Sequence, residues 1–321
     1  MSAIHTSVIS HVGKYQRIRL LGEGIIEDYL ARAAGPQGVE QTLVLQCLRS
    51  DMAEDVGFAE MFLDTATSAA RLTHPHLARV FDFGEADGTY FLAREHIDGP
   101  SLRTLIKHAA AGPMTLPATL CARIISQACE GLAFAHDLTH PETNQPLRLI
   151  HHCIRPYNIL LSRQGTTKVV DFGIDQFRSR WTPQHSIPLL SKYRYMAPEE
   201  IKLGRVDRRM DVYSLGVVLY ELLTTHMPFE STSEWDLAQA VLSEPIVPAE
   251  RHRPDLPVAL RAILARALAK EQDLRYPDCR AFQADLEEFI LSVGEPVTAQ
   301  QVARLIQQVT ASDDPTRATP R

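Results

Sequence analysis

The chain has 321 residues, 45% of them apolar and 22% charged, enough for a sizeable core in one large domain or two ordinary ones, which excludes a disordered or fibrous protein. Its formal net charge of −6 argues against binding by phosphate neutralisation, so no nucleic acid is expected as a partner. No apolar run reaches the length that crosses a bilayer. The opening M-S-A-I-H-T-S-V-I-S-H has no basic segment followed by an apolar one, so a cytoplasmic location is expected. Five cysteines, at 47, 121, 129, 153 and 279, lack C-x-x-C spacing and fit reduced thiols. The thirteen histidines are dispersed, and His74 and His76 in H-P-H are expected in structural roles.

In chain order, Tyr15 to Leu30 reads as two strands around a turn, and Thr42–Leu48 as a further short strand. Residues 54–72 read as a helix, because Phe58, Met61, Phe62, Ala66, Ala69 and Leu72 recur at helical spacing. Strands follow at Ala78–Phe83 and Thr89–His96, joined by the turn-like E-A-D-G. Residues 15–97 thus form a small, mainly antiparallel sheet with one helix. After Gly99-Pro100 the pattern turns helical, at 101–110, 117–139, 211–225, 234–243, 257–269 and 280–292, and makes 98–292 a helix-rich block. In 293–321, Val297, Val302, Leu305, Ile306 and Val309 make a helical stripe that packs back on this block or docks a partner. Asp313–Arg321 is expected to be disordered. A strand block followed by a helix block is an α+β chain.

Several motifs stand in the order of the bacterial Ser/Thr protein kinase family, the Hanks type, which the chain resembles from about Tyr15 to Leu291. They are L-G-E-G (21–24), H-P-H-L (74–77), D-G-P-S-L (98–102), L-I-H-H-C-I-R-P-Y-N-I-L-L (149–161), D-F-G (171–173), Y-M-A-P-E (195–199) and D-V-Y-S-L-G-V-V-L-Y-E-L-L (211–223). The resemblance implies a bilobal kinase fold. It also implies a buried ion pair between Glu199 and Arg275, and an Asp211 that ties the catalytic loop to a central helix. ATP and Mg²⁺ are the implied cofactors. Gly22, Gly24, Val44, Arg94, Glu95 and Leu160 then stand at nucleotide-binding positions, and Asn158 and Asp171 at the metal positions.

Phosphoryl transfer depends on positioning and charge neutralisation, and three charges of the family pattern are missing. Gln46 stands where the resemblance implies the phosphate-holding lysine, and Thr65 where it implies that lysine's glutamate partner. Asp64 is adjacent but points about 100° away on a helix. Cys153 takes the place of the aspartate that accepts the substrate's proton, and a thiol near pKa 8.5 is a poor acceptor at neutral pH. His152 replaces the loop arginine. The phosphate loop reads G-E-G-I-I-E-D-Y, with Glu27 and Asp28 where phosphates would approach. Val44 adds bulk in the adenine position. Arg94 stands at the gatekeeper position, either reaching Asp171 or turning to solvent.

Asn158, Asp171 and Arg155 keep the family's spacing. They bind Mg²⁺ weakly with a nucleotide, or Asn158 and Asp171 persist as hydrogen-bonding members of their loops. No cofactor is therefore required by the sequence. The expected function is that of a pseudokinase, a scaffold or allosteric regulator for other proteins such as active kinases. The alternatives are a weak, unconventional ATP-dependent kinase, and a Cys153-dependent enzyme activated by His151 or His152. Ser179, Thr182, Ser186 and Ser191 are candidate phosphorylation sites in the activation segment.

Overall fold

A computed structural model describes residues 11–34, 39–112, 114–174, 193–294 and 297–312. The four candidate phosphorylation sites and the tail 313–321 lie outside them. The described residues fall into two compact units, one holding the chain through Thr73 with Ala78–His96, the other holding His74–Leu77 and the chain from Ile97 onward.

The first unit is an antiparallel sheet of six strands. These are β1 (His11–Val12), β2 (Tyr15–Gly22), β3 (Ile26–Ala34), β4 (Glu40–Leu48), β5 (Val80–Ala86) and β6 (Thr89–Glu95), in spatial order β1-β2-β3-β4-β6-β5. The last hairpin turns on Asp87 and Gly88, with φ of 53° and 74°, the left-handed pair that a two-residue turn between twisted strands demands. β4 lies between β3 and β6 and is buried from Leu43 to Leu48. Successive side chains point to opposite faces. Leu43, Leu45 and Cys47 therefore share one face, where they pack with Tyr15, Ala31, Phe91 and Ala93. Val44, Gln46 and Leu48 share the other. A short helix α1 (Ser50–Ala53) precedes α2 (Val56–Ala70). Asp55 caps α2 by accepting from the amides of Gly57 and Phe58 at 3.0 and 3.2 Å, and Phe58, Phe62, Ala66 and Ala69 form its buried stripe.

The second unit is mainly helical. Helices α3 (Leu102–Ala111) and α4 (Ala118–His136) precede a small hairpin of β7 (Ile159–Leu161) and β8 (Thr167–Val169). Then come α5 (Pro198–Ile201), α6 (Arg209–Thr224), α7 (Glu234–Ser243), α8 (Val258–Ala267), α9 (Cys279–Val293) and α10 (Ala299–Ser312). Every residue of α6 from Met210 to Thr224 is buried, as expected of a helix in the centre of its unit with α4, α8 and α9 around it. The apolar stripe of α10 packs back: Val302, Leu305, Ile306 and Val309 are buried, with α3 as its neighbour. The turn of the β7–β8 hairpin meets this helix at its start. Gly165 has φ +85°, and a Cβ there would stand 1.9 Å from the carbonyl oxygen of Ala299. Only glycine allows that approach. Among the described residues no helix is long and apolar enough to cross a membrane.

Candidate functional site

In the sheet unit, the nucleotide-side positions lie on β2, β3, β4 and β6. Gly22 on β2 pairs with Asp28 on β3, and Asp28 pairs in turn with Gln46 on β4. Directly opposed residues on antiparallel strands place their Cβ atoms about 5 Å apart, within reach of a hydrogen bond between short polar side chains. The Gln46 amide nitrogen donates to an Asp28 carboxylate oxygen at 3.0 Å, and Gln46 has 0% exposure. The same carboxylate sits 3.6 Å from where a Cβ of Gly22 would be. Gly24 lies in the β2–β3 turn. The other acidic residue of this loop, Glu27, accepts from the Tyr29 hydroxyl at 2.7 Å.

Thr65 sits on the edge of the buried stripe of α2, and its hydroxyl donates to the Met61 carbonyl one turn back, at 2.9 Å. Asp64 beside it is exposed. Positions 46 and 65 therefore hold neutral side chains, one bonded across the sheet and one to its own helix. Val44 is buried and pairs in register with Arg94. Arg94 does not turn to solvent. It is 8% exposed, and its guanidinium donates to the Glu95 carbonyl oxygen at 3.3 Å. The Glu95 carboxylate accepts from the Arg79 amide at 3.1 Å. A guanidinium inside a protein needs acceptors, and the Glu95 carbonyl supplies one.

In the helical unit, one buried carboxylate organises the loop that carries Cys153. Asp211, near the start of α6, is 1% exposed. One of its oxygens accepts from the His151 amide at 2.9 Å and from the His136 ring at 2.8 Å, and the other accepts from the His152 amide at 3.1 Å. His152 adopts φ 65°, so its amide and that of His151 converge on one carboxylate. Burial opposes charge on both members of the Asp211–His136 pair, but their hydrogen bond prevails. It holds the Asp211 carboxyl below its usual range, and with Cys279 it pushes His136 up to about 10.

The His151 ring is committed as well. Its Nε2 donates to the Val170 carbonyl at 2.9 Å, and its Nδ1 accepts the Cys153 amide at 3.3 Å. That fixes the neutral tautomer with its proton on Nε2. Both ring nitrogens are thereby occupied, so His151 is not placed to take a proton from the Cys153 thiol. Cys153 itself lines a cleft of about 10 Å³ with Tyr195, Met196 and Ser214, room for about one water.

Asn158 is buried; its side-chain amide donates to the Cys153 carbonyl at 2.8 Å, and its backbone carbonyl accepts the Val170 amide at 2.9 Å. These bonds are those of a loop tie. Leu160 lies on β7, opposite Lys168 on β8. Asp171 is 9% exposed, with a left-handed backbone at φ 61°. Phe172 packs edge-on to the His151 ring, 5.2 Å between centroids. Arg155 is buried and lies 5.9 Å from the centroid of the Tyr157 ring.

The phosphates of the implied ATP do not fit the residues of the sheet unit. A phosphate chain needs cationic or N–H donors. Here the donor at 46 is neutral and already directed at a carboxylate, and that carboxylate adds negative charge. The sequence placed Asp28 in the path of the phosphates but did not show its bond to Gln46, since the strand pairing depends on the length of the β3–β4 connection. His136 was missed altogether. It lies 75 residues from Asp211 and carries no local signal.

The implied frame of the helical unit is present. Arg275 and Glu199 form a bidentate pair with two contacts of 2.7 Å, and the Arg275 guanidinium stacks 4.9 Å from the centre of the Tyr213 ring.

Comparison with known proteins gives the same assignment. Residues 37–321 match the family model described as protein kinase domain. The tyrosine-protein kinase MasK of Myxococcus xanthus is 37% identical over 87% of this chain and 43% of its own length. The serine/threonine-protein kinase PrkC of Bacillus subtilis is 33% identical over 86% of this chain and 40% of its own. The chain thus spans less than half the length of these relatives. A crystal structure of the Mycobacterium tuberculosis PknI kinase domain superposes with a TM-score of 0.63 at 28% identity, covering 90% of this chain and 99% of that one. From its ordered motifs, its two units and these matches, the chain belongs to the bacterial Hanks-type protein kinase domain family.

Proposed function

We propose that this kinase-fold chain is a pseudokinase, a cytoplasmic scaffold or allosteric regulator acting on other proteins of Ser/Thr phosphosignalling, active kinases among them. The observation that carries the reading is the Gln46–Asp28 hydrogen bond of 3.0 Å. It sets a neutral donor and a carboxylate where the family's chemistry calls for a cation. Cys153 supports the reading from the helical unit, because removing a general base costs about 10²–10⁴-fold in rate.

The test is thermal unfolding in ATP, with and without Mg²⁺. A ligand at about 100 times its Kd adds roughly 2.7 kcal/mol, so a binding protein shifts by several degrees. The expected result is no Mg²⁺-dependent shift. A shift accompanied by incorporation of labelled phosphate, both lost in Asp171→Ala, would overturn the proposal. That outcome would establish the second reading, a weak ATP-dependent kinase. The second reading draws on the kinase names of the relatives and on the retained Arg155, Asn158 and Asp171. A Cys153-dependent activity has less support, since both nitrogens of the His151 ring are engaged.

A further inference from the structure

A cavity of about 540 Å³ opens beside α8 in the helical unit, well inside the range of roughly 300–1,000 Å³ that small-molecule sites occupy. Its walls are apolar, formed by Ile246, Pro248, Val258, Ala265 and Leu268 among others. Val258 is 75% exposed and Ala265 is exposed, whereas Leu268 at the floor is buried. A greasy trough of this kind left open to water is costly.

Its charged groups are two cations and one carboxylate: Arg261, Lys270 and Glu250. Lys270 is the informative one. Its ammonium donates to the carbonyls of Ala240 and Val241, at 2.9 and 2.7 Å, so it closes the C-terminal turn of α7. It also stands 4.6 Å over the Phe229 ring. An ammonium has three N–H donors, and those two bonds leave one. Lys270 has no ion-pair partner among the described residues. Burial pushes its ammonium down to about 8, with Glu244 raising it and Lys202 lowering it further. Arg261 likewise gives two donors to backbone carbonyls, those of Leu256 and Pro254, and keeps three. Lys270 is thus a partly desolvated cation with a spare donor at an apolar cavity, and no carboxylate stands within ion-pair distance of it among the described residues.

We infer that this cavity is a binding site for an amphipathic monocarboxylate. Its apolar chain lies along the α8 wall, and its carboxylate accepts from Lys270 and Arg261. The complementarity is chemical on both sides: the tail removes apolar wall from water, and the head gives the unpaired ammonium its anion. The site is remote in sequence from residues 46, 65 and 153, and it holds whether or not the chain transfers phosphate. Through Lys270, occupancy is felt at the end of α7.

The probe is decanoate, titrated calorimetrically into the full chain, with decan-1-ol and butyrate as tail-only and head-only controls. Decanoate is expected to saturate one site, with both controls binding at least about tenfold more weakly. Ala265→Trp, which fills the cavity from an exposed position, should abolish binding with unchanged circular dichroism. Lys270→Met should weaken binding at least about tenfold, and Lys270→Arg should retain it. The Ala265→Trp and Lys270→Arg pair keeps the test decisive if loss of the α7 cap unfolds the methionine variant. Equal binding of decanoate and decan-1-ol to the wild type and to Lys270→Met would overturn the inference. So would an absence of saturable heat with decanoate while an acidic amphipathic peptide binds and Ala265→Trp blocks it, an outcome that makes the trough a protein-docking surface.

Discussion

A lysine introduced at residue 46 would meet a carboxylate before it met any nucleotide. The Asp28 oxygen already lies 3.0 Å from the amide nitrogen that the new ammonium would replace, and Gln46 is buried, where an ion pair is held more firmly than in water. Gln46→Lys alone is therefore expected to pair its ammonium with Asp28 and leave ATP affinity unchanged. Combined with Asp28→Val, it should tighten ATP at least about tenfold, equivalent to roughly 1.4 kcal/mol. ATP-dependent thermal shifts of the two variants decide the point: an equal gain in the single variant would absolve Asp28.

The Asp211–His136 pair makes a second prediction at this scale. His136 has a folded pKa of about 10 against an ordinary 6.5, so its contribution to stability is complete below about 6.5 and lost as pH rises through 10. Asp211 acts in the opposite direction, with its carboxyl held low, and its contribution is lost only in acid. Lys270, lowered to about 8, gains stability over the alkaline part of the same interval, so the informative quantity is a difference. His136→Gln should flatten the fall in denaturation midpoint between pH 7 and 10 relative to the wild type. Parallel profiles would show that the imidazolium is not the group responsible.

At the scale of elements, most helices and strands were legible in the sequence because each carries its own signal. The stripe Phe58, Phe62, Ala66, Ala69 recurs at helical spacing, and α2 runs from Val56 to Ala70 against an expected 54–72. The Asp87-Gly88 turn announces the hairpin of β5 and β6. The strands β7 and β8 were not visible as strands. With three residues each they are too short for periodicity, and they exist because tertiary neighbours hold them. Helix starts are set by side chains whose effect is local. Asp278 caps α9 by accepting the Ala281 amide at 2.9 Å. Asp278→Ala should cost about 1 kcal/mol in urea unfolding. A change near zero would mean that water or another acceptor replaces the cap.

Across the helical unit, the buried ion pair of Arg275 with Glu199 joins α5 to the segment before α9 through two contacts of 2.7 Å. Both partners are buried. Removing one leaves an uncompensated charge, so Arg275→Met alone should cost about 3–5 kcal/mol. The double variant Arg275→Met/Glu199→Leu should lose clearly less, because the burial of charge is then removed with the pair. Denaturant midpoints of the three proteins test this, and additive losses would show that the two residues act separately. This pair was legible only through the family resemblance, as was the tie from Asp211 to the loop. The bond between Gln46 and Asp28, the inward bend of Arg94 and the role of His136 were not legible, because each depends on a register or a crossing that no stretch of sequence encodes by itself.

Two hydrogen bonds address Cys153 through its backbone, its amide donating to the His151 ring and its carbonyl accepting from Asn158. Every amino acid except proline supplies both. His151, Asn158 and Asp211 thus tie the loop's backbone through bonds that an aspartate at 153 would supply equally. The two backbone ties at this position are indifferent to whether residue 153 is an aspartate or a cysteine, so this part of the loop's architecture does not depend on the side chain that would do the chemistry.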